Sequence, residues 1–245
     1  LSKLRTRKKP VTTENQIVKK VNGVIGLIER LRQDPKAYPR TPQHDEGAEV
    51  ATATLKFVLD NNDWKSKSSR IAGGAAIDGI AGIEYELVPG DEGDPSLEMH
   101  ITYGDGFFYD PRSYDEGFTD ARYMGVAKWV DAEQAKEIAP DKAAEFDNLL
   151  ETGTDLITIN EFDREKNWIN SNEKKLRLVD HWYIKGGKWR WCLYVGNVEL
   201  MKGVSPFIAE KGKTFPRYRM FSAAVDHDGD RYGFNRNLKS PQDQL

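Results

Sequence analysis

One segment of the chain alternates apolar and polar residues and reads Leu176-Arg-Leu-Val-Asp-His-Trp-Tyr-Ile-Lys-Gly-Gly-Lys-Trp-Arg-Trp-Cys-Leu-Tyr-Val-Gly-Asn-Val-Glu-Leu200. Alternation with a period of two predicts β-strands, and Gly186-Gly187 predicts a two-residue turn between them. The turn fixes four cross-strand pairs: Ile184 with Trp189, Trp182 with Trp191, Tyr183 with Arg190, and His181 with Cys192. Gly196-Asn197 predicts a second turn into a strand at Val198 to Met201, so the segment is predicted to form a meander.

The N-terminal third has helical periodicity instead. Apolar residues recur at steps of three and four from Ile17 to Leu31, and the spacing of Thr13 and Gln16 is typical of a capping box, so a helix is predicted over 12–34. Two more helices are predicted, at about 45–59 and 63–78. The helix at 45–59 is expected to bury three residues: Ala51, Leu55 and Val58.

Between these regions the period changes to two. Alternation at 83–87 and 97–103 predicts a β-hairpin, and short helices are predicted near 131–138 and 141–151, peripheral to the sheet, with an Asp131–Gln134 cap on the first. The fold class is therefore predicted to be α+β. The predicted division is an N-terminal helical segment (1–80), a β-rich region with antiparallel hairpins and short helices (81–225), and a connector (226–245).

Composition favours an ordinary globular protein. Of the 245 residues, 38% are hydrophobic and 31% charged. No apolar run approaches the roughly 18 residues that cross a bilayer, and the N-terminus lacks the apolar core of a secretion signal, so no membrane partner is predicted. Cys192 is the single cysteine, which fits assembly in a reducing cytoplasm.

The net charge of -3 lacks the basic excess of a dedicated nucleic-acid-binding protein. Two places depart from this balance. The first nine residues contain bases and no acid, and basic residues alternate with aromatic ones from Phe215 to Phe221. Six residues are candidate nucleic-acid or partner contacts on this basis: Arg5, Arg7, Lys8, Lys9, Arg217 and Arg219.

Asp226-His-Asp-Gly-Asp230 is the strongest candidate for metal chemistry. The calcium-loop pattern requires Gly and Glu where Arg231 and Asn237 stand, so an acidic turn is the favoured interpretation. Gly212-Lys-Thr214 lacks the first glycine of a phosphate-binding loop, because Phe207 occupies that position. We therefore predict no catalytic residue, metal or cofactor, and no enzyme.

Two alternatives stay open on these residues. The first is a metal-dependent nuclease or hydrolase that uses Asp226, His227, Asp228 and Asp230. The second is a non-catalytic module that binds nucleic acid or a partner through the basic N-terminus with Arg217 and Arg219.

Several segments resemble the portal proteins of short-tailed phages. They are Phe107-Phe-Tyr-Asp-Pro-Arg-Ser-Tyr114, Asp120-Ala-Arg-Tyr-Met-Gly-Val-Ala-Lys-Trp129, Asp131-Ala-Glu-Gln-Ala-Lys-Glu-Ile138, and Asp230-Arg-Tyr-Gly-Phe-Asn-Arg-Asn-Leu-Lys-Ser-Pro-Gln-Asp243. The resemblance implies a homo-oligomeric ring, usually of twelve subunits, at one vertex of the virion and assembled in the host cytoplasm. It also implies passage of double-stranded DNA during packaging and ejection, and contacts with terminase, capsid, scaffolding, head-completion and tail proteins.

The resemblance further implies that 81–225 correspond to the outward-projecting wing and that 226–245 lead into a further helical part. Ser240-Pro241 predicts the start of that helix. The chain is therefore expected to be a fragment, either an experimental truncation or a degenerate prophage copy. The family contributes no catalytic residue.

Overall fold

The computed structural model describes residues 15–90, 95–151, 168–170 and 173–243. The chain divides into two compact units. The first comprises the described residues of Leu1–Ala81, Ser222–Asp226 and Asp230–Leu245, and the second those of Gly82–Phe221 and His227–Gly229. The predicted ranges 1–80, 81–225 and 226–245 place the last boundary at residue 226, whereas the chain returns to the first unit at Ser222. The three ranges stay predictions about domains.

The α-helices of the described residues are α1 (Gln16–Leu31), α2 (Asp45–Asn61), α3 (Trp64–Asp78), α4 (Ala132–Ile138), α5 (Ala143–Glu151) and α6 (Asn235–Asp243). The β-strands are β1 (Ile80–Pro89), β2 (Pro95–Tyr103), β3 (Phe107–Tyr109), β4 (Tyr123–Asp131), β5 (Ile169–Asn170), β6 (Lys175–Lys185), β7 (Lys188–Val195), β8 (Val198–Val204) and β9 (Tyr218–Ser222). The prediction of an α+β fold, helical first and β-rich afterwards, is confirmed. No helix among the described residues is long and apolar enough to cross a membrane.

The first unit is helical, and α1 begins later than predicted. Its N-cap is Asn15, whose side chain accepts a hydrogen bond of 3.1 Å from the backbone N–H of Val18. The predicted partner Thr13 lies outside the described residues. The Asn15 side chain thus accepts from one of the backbone N–H groups that have no partner within the first turn of a helix, and the helix begins at Gln16.

The predicted burial of α2 is wrong. This helix has no buried residue, and Ala51 and Leu55 are exposed. Its inner side is instead formed around Thr52, whose hydroxyl accepts a 3.0 Å hydrogen bond from the backbone N–H of Ala37 in the connector after α1. That connector supplies a polar neighbour where the apolar pattern had predicted a core.

Helix α3 is confirmed, and it is followed by a close backbone approach. A side chain at Gly233 would bring its Cβ within 2.5 Å of the carbonyl oxygens of Ala76 and Ile77. The neighbouring Phe234 donates its N–H to the carbonyl of Ala76 at 2.9 Å. The Arg231-Tyr-Gly-Phe234 motif therefore caps the C-terminal turn of α3 and then enters α6.

Helix α6 starts at Asn235, so the predicted start at Ser240-Pro241 is wrong, and both residues lie within the helix. The cap-and-proline pattern is a local signal. The backbone bonds from Arg236 to Gly233 and from Asn237 to Phe234 begin the helix earlier, where Gly233 meets α3.

The second unit is built on a six-stranded sheet in the order β3-β4-β6-β7-β8, with β5 pairing with β6 beyond the end of β7. Its pairings are antiparallel, and the predicted hairpin register is confirmed for all four pairs. The turn at Gly196-Asn197 is also confirmed, although β8 runs on to Val204. A three-stranded sheet has the order β2-β1-β9.

One face of the six-stranded sheet is covered by α4 and α5. The shared core consists of Leu176, Leu178, Val195 and Val198 from the sheet, with Ala132, Ala135, Ala139 and Phe146 from the helical layer. Phe146 is fully buried, so the prediction that these helices are peripheral is wrong. Three small alanines let α4 lie close to the sheet, and this closeness buries the ring from α5.

The predicted Asp131–Gln134 cap of α4 is also wrong, since the Asp131 side chain makes no capping hydrogen bond. The N–H of Ala132 instead donates to the carbonyl of Lys174 at 3.0 Å. The turn residue immediately before β6 therefore supplies the acceptor at the start of this helix.

Candidate interaction surfaces

The segment Phe107–Trp129, which resembles portal proteins, contains a loop built around two carboxylates, of which Asp110 is buried and Asp120 is exposed. Asp110 is 2% exposed and accepts hydrogen bonds from Arg122 Nε at 2.7 Å and from the backbone N–H of Arg112 at 3.0 Å. The hydrogen bond from Arg122 lowers the pKa of Asp110 to about 2 despite its burial. The pair joins the end of β3 to the residue before β4.

The second carboxylate of this loop is Asp120. It accepts hydrogen bonds from the Ser113 hydroxyl at 2.5 Å and from the backbone N–H of Tyr114 at 2.8 Å. Burial acts to raise the pKa of Asp120, but these hydrogen bonds outweigh it and lower the pKa. Asp110 and Asp120 thus hold the loop through the hydrogen bonds that their carboxylates accept.

A third internal network surrounds Arg217, one of the candidate contacts. Its guanidinium lies 2.9 Å from Glu84 and 3.3 Å from Asp180, and the side chain is 23% exposed. Burial acts to lower the pKa of Arg217, and the two carboxylates raise it above its ordinary value.

Asp180 also accepts hydrogen bonds of 2.8 Å from Trp182 Nε1 and from the Tyr218 hydroxyl. Burial raises the pKa of Tyr218, and the Asp180 charge raises it further. Tyr218 therefore stays a donor, and the carboxylate of Asp180 is held by two neutral donors and one cation.

Arg219, which lies on β9, has a different environment from Arg217. It is exposed, and its guanidinium lies 5.6 Å from the centre of the Phe215 ring. Phe215 in turn stacks on Phe207 with ring centres 5.6 Å apart. Of the six candidate contacts, Arg217 and Arg219 lie in the described residues, and Arg5, Arg7, Lys8 and Lys9 lie outside them.

The predicted acidic turn at Asp226–Asp230 is confirmed. The N–H of Asp226 donates to the carbonyl of Asp230 at 2.8 Å, and Val225 pairs with Arg231 on either side of the turn. The carboxylate of Asp226 lies 2.8 Å from Arg236. Within the part of the chain that the structure describes, no group of three or more His, Cys, Asp or Glu residues is arranged to hold a metal ion.

The face of the six-stranded sheet opposite α4 and α5 carries a cluster of half-buried rings, which we call the aromatic face. Four rings surround His181 at centre-to-centre distances of 5.5–6.3 Å: Phe108, Tyr123, Tyr183 and Tyr194. Burial lowers the pKa of His181, so the centre of this face is uncharged at neutral pH.

The aromatic face continues to the edge formed by β5. Trp168 lies 6.0 Å from Tyr194 and is 40% exposed, and Trp129 on β4 is 43% exposed. Trp129 and its cross-strand neighbour Arg177 line an open cavity of about 680 Å³ beside the Gly104–Gly106 turn.

A close backbone approach within the sheet supports this face. A side chain at Gly125, opposite His181 in the register, would collide with the carbonyl oxygen of Asp180 and with the Phe108 ring, so only glycine leaves room for both.

The sequence predicted two cross-strand pairs of this face, Tyr183 with Arg190 and His181 with Cys192. The other rings come from β3, β4, the residue before β5 and the far end of β7, so no single stretch of sequence contains the pattern. The available signal was the parity of the β6 hairpin, which places His181 and Tyr183 on the side away from Trp182 and Leu178.

The described residues thus combine internal ion pairs that hold loops with a face of half-buried rings. The model of the family described as Phage P22-like portal protein matches the chain over residues 1–245, and the chain belongs to this family. No curated protein matches the chain. Membership gives the chain a structural role in a phage portal, an oligomeric assembly associated with the capsid vertex of the virion.

Proposed function

We propose that this chain forms part of a ring, of twelve subunits in the full-length protein, at a unique vertex of the phage capsid. Double-stranded DNA passes through the axial channel during packaging and ejection. Terminase, scaffolding and capsid proteins bind during assembly in the host cytoplasm, and head-completion and tail proteins bind afterwards. The observation that supports this proposal is the match to the portal family over all 245 residues.

The role proposed is not enzymatic. The buried acids of the second unit bind partners inside the protein, as Asp110 does with Arg122 and Asp180 with Arg217, and Asp226 of the acidic turn binds Arg236. Carboxylates held by cations at about 3 Å stabilise the fold and are poor bases. The energy for packaging is then supplied by the terminase.

The wing assignment is part of this proposal. Residues 81–225 form the outward-projecting module, and 226–245 connect it to the helical part of the family that lines the channel. The presence of α6 at Asn235–Asp243 supports a helical continuation of the connector.

Arg219, with Arg5, Arg7, Lys8 and Lys9, is proposed to contact DNA phosphates or a partner protein. Exposed guanidinium and ammonium groups bind phosphates through counterion release, so such binding weakens steeply with salt. The ion pairs of Arg217 give it a role within the fold, and its contact with a partner stays a prediction. Fluorescence anisotropy of a labelled duplex at several salt concentrations, with and without Arg219→Ala, tests these contacts.

The decisive experiment is negative-stain imaging of the full gene product that contains this segment, together with its mass in solution. Rings with an axial hole are the expected result. A monodisperse monomer at micromolar concentration, from protein with an intact circular dichroism spectrum, would refute the proposed ring.

A further inference from the structure

The aromatic face has a rim of basic residues. Four basic residues on this side of β6 and β7 or at their turn form no ion pair within the described parts of the chain: Arg177, Lys185, Lys188 and Arg190. Lys202, on β8, is paired with Glu199 at 2.8 Å. This side of the sheet therefore combines an uncharged aromatic centre with a basic rim.

The opposite side of the same module is acidic. Helices α4 and α5 turn their small and aromatic residues to the sheet, and their outer side contains two internal ion pairs, Lys136 with Asp147 and Lys142 with Glu145. Four further acids on this layer are exposed and form no ion pair with another described residue: Glu133, Glu137, Asp141 and Glu151.

The second unit thus has opposite charges on its two sides. The aromatic face, which we call the front, is basic, and the outer side of α4 and α5, which we call the back, is acidic. We propose that the aromatic face of one copy binds the outer side of α4 and α5 of the next copy. This inference rests on the proposed function, because it names the surfaces that close the ring. Contacts between two different patches on successive copies generate rings, whereas contacts between like patches generate dimers.

Charge favours this front-to-back contact over the alternatives. A front-to-front contact would bring Arg177 and Arg190 against the same residues of the partner, and a back-to-back contact would do so with Glu133 and Glu137. Like charges brought together at an interface strongly disfavour it. Front-to-back contact instead gives each unpaired cation of the rim an unpaired acid to meet.

The chemistry of the aromatic face fits the centre of a protein interface. Tyr, Trp and Arg are enriched at such centres, where a rim of polar groups excludes water from the contact. Tyr183 and Tyr194 supply rings, His181 adds no charge, and exposed Trp129 and Trp168 extend the apolar area toward the cavity. On the back, Ile138 of α4 is 40% exposed and offers an apolar group to this face.

The test uses the full gene product with charge reversals on each side. The front variant carries Arg177→Glu and Arg190→Glu, and the back variant carries Glu133→Lys and Glu137→Lys. Each alone places like charges across every contact of the ring. We expect association to weaken by at least about 100-fold, so each variant should sediment as a monomer at a concentration where the unmodified protein forms rings.

Mixing the two variants provides a sharper readout than either alone. A front variant is acidic on both sides and a back variant is basic on both sides, so they complement each other when they alternate. An equimolar mixture should recover rings of even subunit number, seen by mass photometry and imaging. The chain with all four substitutions should also form rings by itself, since front and back are both reversed.

A matched control reverses one exposed charge that belongs to neither surface, as in Arg70→Glu on α3 of the first unit, and should leave the rings unchanged. Circular dichroism and thermal unfolding of each monomeric variant confirm that it is folded. Rings from the front and back variants separately, or loss of rings that neither the mixture nor the fourfold variant recovers, would overturn this inference while the portal role stands. If the unmodified protein forms no ring, the proposed function and this inference fail together.

Discussion

The environment of Arg217, the residue before β9, predicts a large loss of stability when its charge is removed, in contrast to Arg219 on that strand. In the Arg217→Met variant an unbranched apolar chain replaces the guanidinium, and Glu84 and Asp180 lose their cation. The side chain of Asp180 is 7% exposed and that of Glu84 is 14% exposed, so water replaces the lost contacts only in part.

The magnitude follows from this burial. Breaking a buried pair by removing one partner costs about 3–5 kcal/mol, because the remaining charge is left uncompensated. Asp180 keeps its hydrogen bonds from Trp182 and Tyr218, and 23% of the Arg217 side chain reaches solvent, which places the loss at the lower end. We expect the free energy of unfolding to fall by about 3 kcal/mol. For a chain of this length that corresponds to a decrease in Tm of about 6–12 °C.

Urea unfolding followed by tryptophan fluorescence measures this loss, because Trp182 is buried and stacks with Trp191 at 6.4 Å in the same unit. Arg219→Met is the matched control. Its guanidinium is exposed and contacts a ring, so a change within about 0.5 kcal/mol is expected.

A double variant, Arg217→Met with Asp180→Asn, separates the ion pair from simple loss of packing. It removes the cation and one of its buried anions together, so its destabilisation should be smaller than the sum of the two single variants. Strict additivity of the changes in the free energy of unfolding, or equal effects of Arg217→Met and Arg219→Met, would refute the reasoning. Arg217 would then contribute no more to stability than an exposed surface cation.

Three other substitutions test the fold. Asp110→Asn should cost about 1–2 kcal/mol at pH 7 through loss of its charged hydrogen bonds. Because the folded pKa is lowered to about 2, that stability is present above about pH 4 and is lost toward pH 2, so urea midpoints of variant and parent should converge there. Gly233→Ala forces a Cβ within 2.5 Å of two carbonyls and should cost about 2 kcal/mol or more in urea unfolding, whereas Gly26→Ala in the open should be neutral or stabilising. Phe146→Ala should cost about 3–5 kcal/mol by calorimetry, and a loss below 1 kcal/mol would contradict the core position of α5.

The sequence predicted the hairpin of β6 and β7 in full because its information is local. The turn dipeptide and the alternation on both sides specify the register, and the structure reproduces the pairs of Trp182 with Trp191 and Ile184 with Trp189. Helix α3 was predicted for the same reason. In these elements the residues that decide the structure are within a few positions of one another.

The failures involve partners that are distant in sequence. Helix α2 has an apolar pattern, but Thr52 meets the connector at Ala37, so Leu55 is left exposed. Helices α4 and α5 are short, yet Phe146 is fully buried against strands that follow 30 and more residues later. Hydrophobic periodicity indicates which residues share a face of a helix or strand, but it does not indicate which face packs against another element.

The same limit explains the candidate site. Arg217 and Arg219 are equivalent by spacing and by neighbouring aromatic residues. The carboxylates of Glu84, from β1, and Asp180, from β6, distinguish them. The aromatic face likewise requires the order of strands β3, β4, β6 and β7 before Phe108, Tyr123 and Tyr194 are seen around His181.

The residues that carry the family resemblance act mainly inside the protein. Asp110 and Asp120 accept the hydrogen bonds that hold a loop. Gly125 has no side chain and therefore leaves room for β6 and the Phe108 ring, and Gly233 in the same way leaves room for the end of α3. Substitutions at these positions should therefore reduce stability before they affect assembly. The proposed ring contacts lie elsewhere, at half-buried or exposed charges of β6, β7 and α4 that form no ion pair within the described residues, where substitutions should leave the monomer stable and abolish association. When stability and association are measured on one set of variants, the variants should fall into two classes. Substitutions at internal contacts should lower stability, and substitutions at the proposed ring contacts should lower association.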